Sequence, residues 1–451
     1  MTDGEDYDAV VAAVRERVDP DGRERRELAT VVERLRERAE RAIDDLPVDA
    51  DVVQVGSTAR DTWTAGDRDI DVFVRFPPDL DRRNLEQYGL AVGEAVLPEG
   101  RKEYAEHPYV TGEFEGYTVD LVPCYRVAAA TDIQSAVDRT PFHNEYLAAR
   151  LDDDLAAEMR LFKQFLKGIG AYGSDLRTRG FSGYLAELLV LEYGSFRATL
   201  AAAANWHPPV ELDPEDHGRR SFDDPLVVID PTDPERNVAA VVTESNVARL
   251  QHYARRFLAE PDVEYFFPEE PTPLDAEAVR EQLDRRGTTV LAVRFDAPDL
   301  VEDQLYPQLQ RSLDGLVRGL AAADFEVLRA ATWADDDAVL FVELSVAERP
   351  AVERHVGPPV HVAEHAAGFF EKYAYTDAYG PFIDDGRYVV ERERGVTSAE
   401  QFVRERLLDV GLGAHVQTAL EQGYEVLVDA AAAALAENFG AELAAYFDPS
   451  P

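Results

Sequence analysis

The chain has 451 residues, 45% hydrophobic and 10% aromatic, with 88 Asp and Glu against 46 Lys and Arg, a formal net charge of −42 and a pI of about 4.5. That length exceeds one compact core and predicts three or four modules, and apolar periodicity almost throughout excludes disorder as the source of the acidity. The single cysteine, Cys124, excludes an internal disulfide and a Cys-based zinc site; no apolar run reaches the length of a membrane span and the acidic Met1-Thr2-Asp3 start does not read as a signal peptide, so a soluble intracellular protein is expected.

Among the basic residues only Lys102, Lys163, Lys167 and Lys372 are lysine. Dense carboxylates with arginine in place of lysine suit a cytoplasm at molar salt. There the Debye length shrinks to about 3 Å, so surface carboxylates hardly repel one another and their hydration keeps the protein in solution.

Residues 23–45 carry Leu28, Val31, Val32, Leu35, Ala39 and Ile43 at helical spacing, which predicts an amphipathic lid on a sheet. Strands are predicted at 51–55, 70–76 and 116–122, with a helix near 80–96 carrying Leu85, Tyr88, Val92 and Val96. Residues 1–150 therefore read as a small mixed α/β module. Its first strand, Val52-Val53-Gln54-Val55, runs into Gly56-Ser57-Thr58; Asp69-Ile70-Asp71 begins the next, and Asp120 lies inside Tyr117-Thr118-Val119-Asp120-Leu121-Val122-Pro123.

Side chains two apart on a strand share a face, so Asp69 and Asp71 project together while Ile70 turns away. Two aligned hard-oxygen ligands suit Mg²⁺, and a third carboxylate from a neighbouring strand completes a two-metal clamp with ions roughly 3.5–4 Å apart. A Gly-Ser turn between strand and helix leaves backbone N–H groups for phosphate oxygens, with the Ser57 hydroxyl as a further donor and Arg60 one turn along. Pairs of aspartates two apart are common in so acidic a sequence, and Asp6-Tyr7-Asp8 and Asp49-Ala50-Asp51 match without such a context. The turn and the three spaced carboxylates together read as a polymerase-type nucleotidyltransferase site.

From Asp153 to about Ala259 the pattern turns helical: Leu155, Met159, Phe162, Phe165, Leu166 and Ile169 mark one face, and Tyr184 to Phe196 form another apolar helix. Gly168, Gly170, Gly173, Gly180 and Gly183 punctuate the turn between them. Lys163 and Lys167 share a face at i and i+4. They are either solvated surface charges or functional cations in a sequence that has otherwise lost its lysines.

After Pro268, a strand at 288–295, a helix at 304–323 and strands at 325–333 and 338–346 give a β-α-β-β order, as in ferredoxin-like or RNA-recognition sheets. His361, His365, Phe369, Phe370, Tyr373 and Tyr375 form an aromatic-rich helix and loop, followed by Arg387, Arg392 and Arg394. A packed helix with an arginine rim and a surface that meets RNA fit this equally. Residues 399–447 return to helix.

With these motifs in hand, the sequence resembles the archaeal, class I, CCA-adding enzymes, the tRNA nucleotidyltransferases that build the 3′ C-C-A end. The resemblance covers nearly the whole length. It is carried by Val55-Gly56-Ser57-Thr58-Ala59-Arg60-Asp61-Thr62-Trp63, Asp69-Ile70-Asp71-Val72-Phe73, Arg139-Thr140-Pro141-Phe142-His143, Lys163 through Tyr172-Gly173, Arg179-Gly180-Phe181-Ser182-Gly183-Tyr184 and Asp230-Pro231-Thr232-Asp233-Pro234-Glu235-Arg236-Asn237-Val238. It implies an α+β multidomain fold. The parts would be a polymerase-β-like nucleotidyltransferase head at 1–150, a helical neck at 151–266, a ferredoxin- or RRM-like body at 267–345 and 385–451, and an α/β tail at 346–384 that contacts tRNA.

The resemblance further implies that Asp69, Asp71 and Asp120 are catalytic and bind Mg²⁺, with Asp120 placed to assist deprotonation of the tRNA 3′ hydroxyl. Where that family commonly has a glutamate at the first position, this sequence has the shorter Asp69. Ser57, Arg60, His143, Lys163 and Tyr172 correspond to the ATP- and CTP-binding set. Arg236 corresponds to the base-selecting position: a guanidinium only donates hydrogen bonds, and cytosine N3 and adenine N1 accept where uracil N3 and guanine N1 carry hydrogen. The implied partners are the 3′ end, acceptor and elbow of tRNA, with ATP and CTP as substrates, a homodimer, and a cytoplasmic setting without membrane.

An acidic protein that binds a polyanion at high salt must lean on shape, stacking and bidentate arginine rather than phosphate charge alone. Arginine-lined grooves in a negative surface are therefore expected. The competing readings are another template-free nucleotidyltransferase such as a poly(A) polymerase or oligoadenylate synthase, which would add A alone, a non-catalytic RNA-binding module, which would lack a carboxylate, and an acidic cation store, which would ignore nucleotides.

Overall fold

The computed structural model describes residues 3–104 and 106–451, with side chains from Asp6 onward; the amino-terminal reading at Met1 and Thr2 lies outside them. Two compact units make up the protein, Met1–Glu269 and Glu270–Pro451. Among the described residues no helix is long and apolar enough to cross a membrane.

The first unit opens with α1 (Asp3–Val18) and α2 (Gly22–Asp44). Asp21 caps α2: its carboxylate accepts from the N–H groups of Arg23 and Glu24, and Glu24 accepts in return from Asp21 N–H. There follow β1 (Asp51–Val55), a single-turn helix α3 (Gly56–Ala59), β2 (Asp69–Phe76), α4 (Arg82–Val96), β3 (Arg101–Tyr104), β4 (Pro108–Phe114) and β5 (Tyr117–Tyr125). The sheet order is β1-β2-β5-β4-β3, antiparallel except for the central parallel pair β2 and β5. Alternation puts Ile70, Val72, Val74, Val119 and Leu121 into a core covered by α2 through Leu28, Val31 and Leu35 and by α4 through Leu85, Val92 and Val96. The opposite face of β2 is left to Asp69 and Asp71. The β3–β4 hairpin is an addition to the predicted elements.

Next come α5 (Thr140–Ala148), α6 (Asp153–Gly168), α7 (Gly183–Tyr193), α8 (Phe196–Ala203), β6 (Val210–Leu212), β7 (Leu226–Asp230), β8 (Asp233–Asn237) and α9 (Glu244–Ala259). Phe162, Phe165, Phe196, Phe257 and Phe266 meet largely edge to face at the centre of this part, and Tyr7, Val14 and Val18 of α1 join the same core. The stretch expected to be helical from Asp153 to Ala259 is thus interrupted by a small sheet of order β6-β7-β8. The five residues of β7, Leu-Val-Val-Ile-Asp, are all buried, and a short apolar run of that kind has no period to distinguish strand from helix.

The second unit contains α10 (Ala276–Arg286), β9 (Thr289–Asp296), α11 (Glu302–Ala322), β10 (Glu326–Ala334), β11 (Asp337–Val346), β12 (Val352–Pro359), α12 (Ala363–Tyr373), β13 (Tyr379–Asp384), β14 (Arg387–Glu393), α13 (Ala399–Arg406), α14 (Ala414–Gln422), β15 (Glu425–Val428) and α15 (Ala436–Phe447). Its main sheet runs β10-β11-β9-β15, all antiparallel. One face packs on α11, α13 and α14, and the other on α10 and α15, where Trp333 and Phe341 meet Phe439 and Tyr446. Both faces are therefore filled, and neither is a bare aromatic platform for bases. A second sheet, β12-β14-β13, carries α12 through Phe369 and Tyr373, and leaves Tyr375, Tyr379 and Ile383 exposed. The strand β15 breaks the helical run expected over 399–447.

Candidate active site

The three aspartates singled out in the sequence lie on the two central strands of the first sheet. In the parallel pair β2 and β5, Asp71 lies opposite Asp120 and Asp69 opposite Thr118. In the antiparallel pair β1 and β2, Asp71 lies opposite Val55, the residue just before the Gly-Ser turn. Gly56 has φ +79°, and a Cβ there would stand 2.0 Å from Asp71 Oδ2, so glycine is required both by the left-handed backbone and by the carboxylate. Burial, then the neighbouring Asp120 and Asp69, push the Asp71 carboxyl up to about 6. Asp69 is raised too, by burial and by Asp67 and Asp120, with Lys167 opposing.

Among the described residues no three His, Cys, Asp or Glu side chains are drawn together into a ready metal cage. Asp71 and Asp120 face each other in strand register and Asp69 feels both burial and Asp120, but the three expected ligands are not gathered into one cluster. A hard, all-oxygen donor set in which Asp69 and Asp71 are raised is of the kind a divalent cation would neutralise.

The residues expected around the triphosphate fall into two clusters. Ser57 is partly buried on α3, with its carbonyl accepting from the N–H groups of Arg60 and Thr62. Arg60 does not reach into open space: Nε and Nη2 donate to Glu187 Oε2 at 3.0 and 2.8 Å, and Nη1 donates to Asn144 Oδ1 at 2.8 Å. Lys163 is buried rather than solvated; its ammonium donates to the Glu187 carboxylate and to Thr62 O at 3.1 Å. Burial lowers the Lys163 pKa, against Glu187, which holds its charge. Glu187 itself is kept below the ordinary carboxylate range despite burial, by Lys163 and Arg60. The Tyr172 hydroxyl stands where a side chain on Gly183 would meet it at 2.9 Å. Lys167 Nζ lies 5.4 Å from the centre of the Tyr172 ring and 3.5 Å from Asp67.

The second cluster centres on Asp230, fully buried at the end of β7. His143 Nε2 lies 2.8 Å from its Oδ2 and Arg236 Nη1 donates to the same oxygen at 2.7 Å, while Thr232 N–H and Oγ1 donate to Oδ1. The His143 ring stacks on Tyr184 with centroids 4.0 Å apart. Burial lowers the histidine pKa, with Asp230 opposing. His143, Tyr184, Arg139, Arg220 and Arg236 line a cavity of about 670 Å³, an arginine-rich hollow in a protein of net charge −42. Asn144, next to His143 on α5, holds Arg60 and so links the two clusters. Sequence reasoning gave no role to Glu187, Asn144, Tyr184 or Asp230. Glu187 alone left a sign, as the one acid inside the apolar stretch Tyr184 to Leu191.

A nucleotidyltransferase domain model matches residues 6–143, a tRNA nucleotidyltransferase second-domain model 157–267, and the C-terminal domain model of CCA-adding enzymes 286–429. The CCA-adding enzyme of Haloarcula marismortui is 62% identical over 99% of this chain and 100% of its own length. The chain belongs to the CCA-adding enzyme family. That of Halobacterium salinarum is 65% identical over 98% of this chain and 99% of its own, and that of Methanosarcina barkeri 41% over 94% and 95%. The protein is thus a tRNA nucleotidyltransferase of the family found in halophilic archaea, and nucleotidyltransferases work with divalent metal ions. A solved RNA terminal U-transferase is 16% identical and covers 59% of this chain and 100% of that one, with a TM-score of 0.45.

Proposed function

We propose that this CCA-adding enzyme builds the 3′-terminal C, C and A of tRNA without a template, from CTP and ATP, with Asp69, Asp71 and Asp120 holding Mg²⁺ and pyrophosphate as the leaving group. The observation that carries the reading is the register: Asp71 opposite Asp120, with Gly56 pressed against Asp71, joins a carboxylate set to a phosphate-binding turn. Bound Mg²⁺ supplies activation of the attacking hydroxyl and neutralisation of the leaving phosphate oxygens. Asp120 is the acceptor for the proton of the tRNA 3′ hydroxyl. Ser57 and the backbone N–H groups of its turn cradle the triphosphate, Lys163 and Arg60 supply buried positive charge beside it, and Tyr172 and His143 offer further donors.

Arg236 selects the base. One of its nitrogens is fixed on Asp230, which leaves the remaining donors for cytosine N3 or adenine N1 and repels the N–H of uracil or guanine. The exposed Tyr375 and Tyr379 of residues 346–384 are the stacking groups for the tRNA elbow, and the enzyme works as a cytoplasmic homodimer.

The test is tRNA lacking its last three nucleotides, incubated with Mg²⁺, CTP and ATP in molar KCl, with products resolved nucleotide by nucleotide. Addition ending at C-C-A is expected, and Asp120→Asn abolishes it. Addition of A alone, with CTP ignored, would make the enzyme a poly(A) polymerase.

A further inference from the structure

We propose that Glu187 is a positioning residue for nucleotide binding, clamping Lys163 and Arg60 together in one preset arrangement behind the Gly-Ser turn. The inference rests on the reading of Lys163 and Arg60 as triphosphate ligands. Glu187 lies on α7, Lys163 on α6, and Arg60 and Thr62 just beyond the turn after β1, so one carboxylate ties the phosphate-binding turn to two helices.

Every acceptor direction of Glu187 is taken. Oε1 accepts from Lys163 Nζ and from Thr62 Oγ1, and Oε2 accepts from Arg60 Nε and Nη2. Nothing is left over for substrate, so the carboxylate acts through its partners rather than on the nucleotide. The side chains of Glu187, Lys163 and Arg60 are 0%, 4% and 7% exposed, and a buried triad of this sort is weak as a stabilising device because each ion gives up its hydration.

The charges point to function. Two cations share one anion, so the triad by itself carries a net positive charge, and the next carboxylate to feel it is Asp71, whose carboxyl Arg60 pulls down. The charged groups nearest Lys163 besides its partners do not cancel it: Lys167 adds a further positive charge and is itself engaged with Asp67. A polyphosphate is the ligand class that closes this balance. Without the clamp, the long Lys163 side chain regains its rotamers, and that freedom must be lost again on each binding event.

The experiment measures single-A addition by the full-length enzyme to tRNA ending in C-C, with Mg²⁺ and molar KCl. Glu187→Gln is expected to raise the KM for ATP about tenfold or more while kcat falls less. In a Lys163→Met background the same change is expected to add little, because the residue it positions is gone. Effects that multiply independently, or an unchanged KM in Glu187→Gln, overturn the inference. If Glu187→Gln does not fold, Thr62→Val replaces it: this removes one donor to Oε1 and leaves all charges in place. It is expected to raise KM by a smaller factor, and an unchanged KM overturns the inference. A normal KM in Lys163→Met sinks the underlying nucleotide-binding reading, whereas a raised KM there with a normal one in Glu187→Gln sinks the clamp alone.

Discussion

Gly56 and Asp71 occupy one another's space: any side chain at Gly56 would run into Asp71 Oδ2, 2.0 Å from an ideal Cβ. The Gly-Ser turn and the Asp71 carboxylate are therefore built as a single contact, which in the proposed function joins the phosphate cradle to a metal ligand. Gly56→Ala must displace Asp71 or the turn, and it also places an L side chain at φ +79°, a backbone cost of about 1–2 kcal/mol. The expected result is a fall in kcat for CTP addition of about 100-fold or more, with a cooperative melt retained. Near-normal kcat in Gly56→Ala would separate the turn from the metal site.

The raised carboxyl of Asp71 has a sign that can be read in stability. A group at about 6 in the folded protein against 3.8 ordinarily favours the folded state when protonated. That stability is fully present below the ordinary value and is lost as pH rises through the folded one. In EDTA, Asp71→Asn should therefore melt higher than the parent at about pH 7.5 and match it near pH 4, because only the ionised carboxylate is penalised, first by burial and then by Asp120 and Asp69. Activity is lost in the same variant. A parent and variant that melt together at both pH values would mean that neither burial nor the neighbouring carboxylates raise Asp71.

Asp230 holds Arg236 and His143 on a single oxygen, so on the proposed reading base selection depends on a donor that is anchored at one end. Arg236→Ala is expected to reduce discrimination of CTP over UTP about tenfold or more, in line with the loss of one hydrogen-bonded edge. The readout is the ratio of kcat/KM values for the two nucleotides. A variant that keeps full discrimination removes Arg236 from base selection.

The carboxylates were legible because their strand carries alternation and their turn carries glycine, both local signals. Asp120 was legible as their partner, but the register that sets it opposite Asp71 was not, since it joins strands more than forty residues apart and a parallel pair has no hairpin to fix it. The β3–β4 hairpin was missed because Arg-Lys-Glu-Tyr is a polar edge strand with little apolar signature. Lys163 illustrates the limit of surface reasoning: helical spacing puts it on a face with Lys167, but only packing shows that Lys163 is buried against Glu187 while Lys167 stays partly exposed beside Asp67. Glu187 is one of 88 acids, and its role depends on Arg60, which arrives from 127 positions away.

Salt should divide the enzyme's interactions by burial. With a net charge of −42 the protein repels itself in dilute buffer, where the Debye length is about 30 Å at 0.01 M, and hardly at all at 1 M, where it is about 3 Å. The melting temperature is expected to rise by several degrees from dilute buffer to molar KCl, and an unchanged value would defeat the argument. Substrate binding should follow a different rule. Contacts to tRNA phosphates release counterions and weaken steeply with salt, whereas the Arg60, Lys163 and Glu187 cluster is almost wholly enclosed and is screened far less. Between moderate and molar KCl the KM for tRNA should therefore climb more steeply than the KM for CTP. Equal slopes would mean that the nucleotide is held by exposed charge, not by this buried cluster.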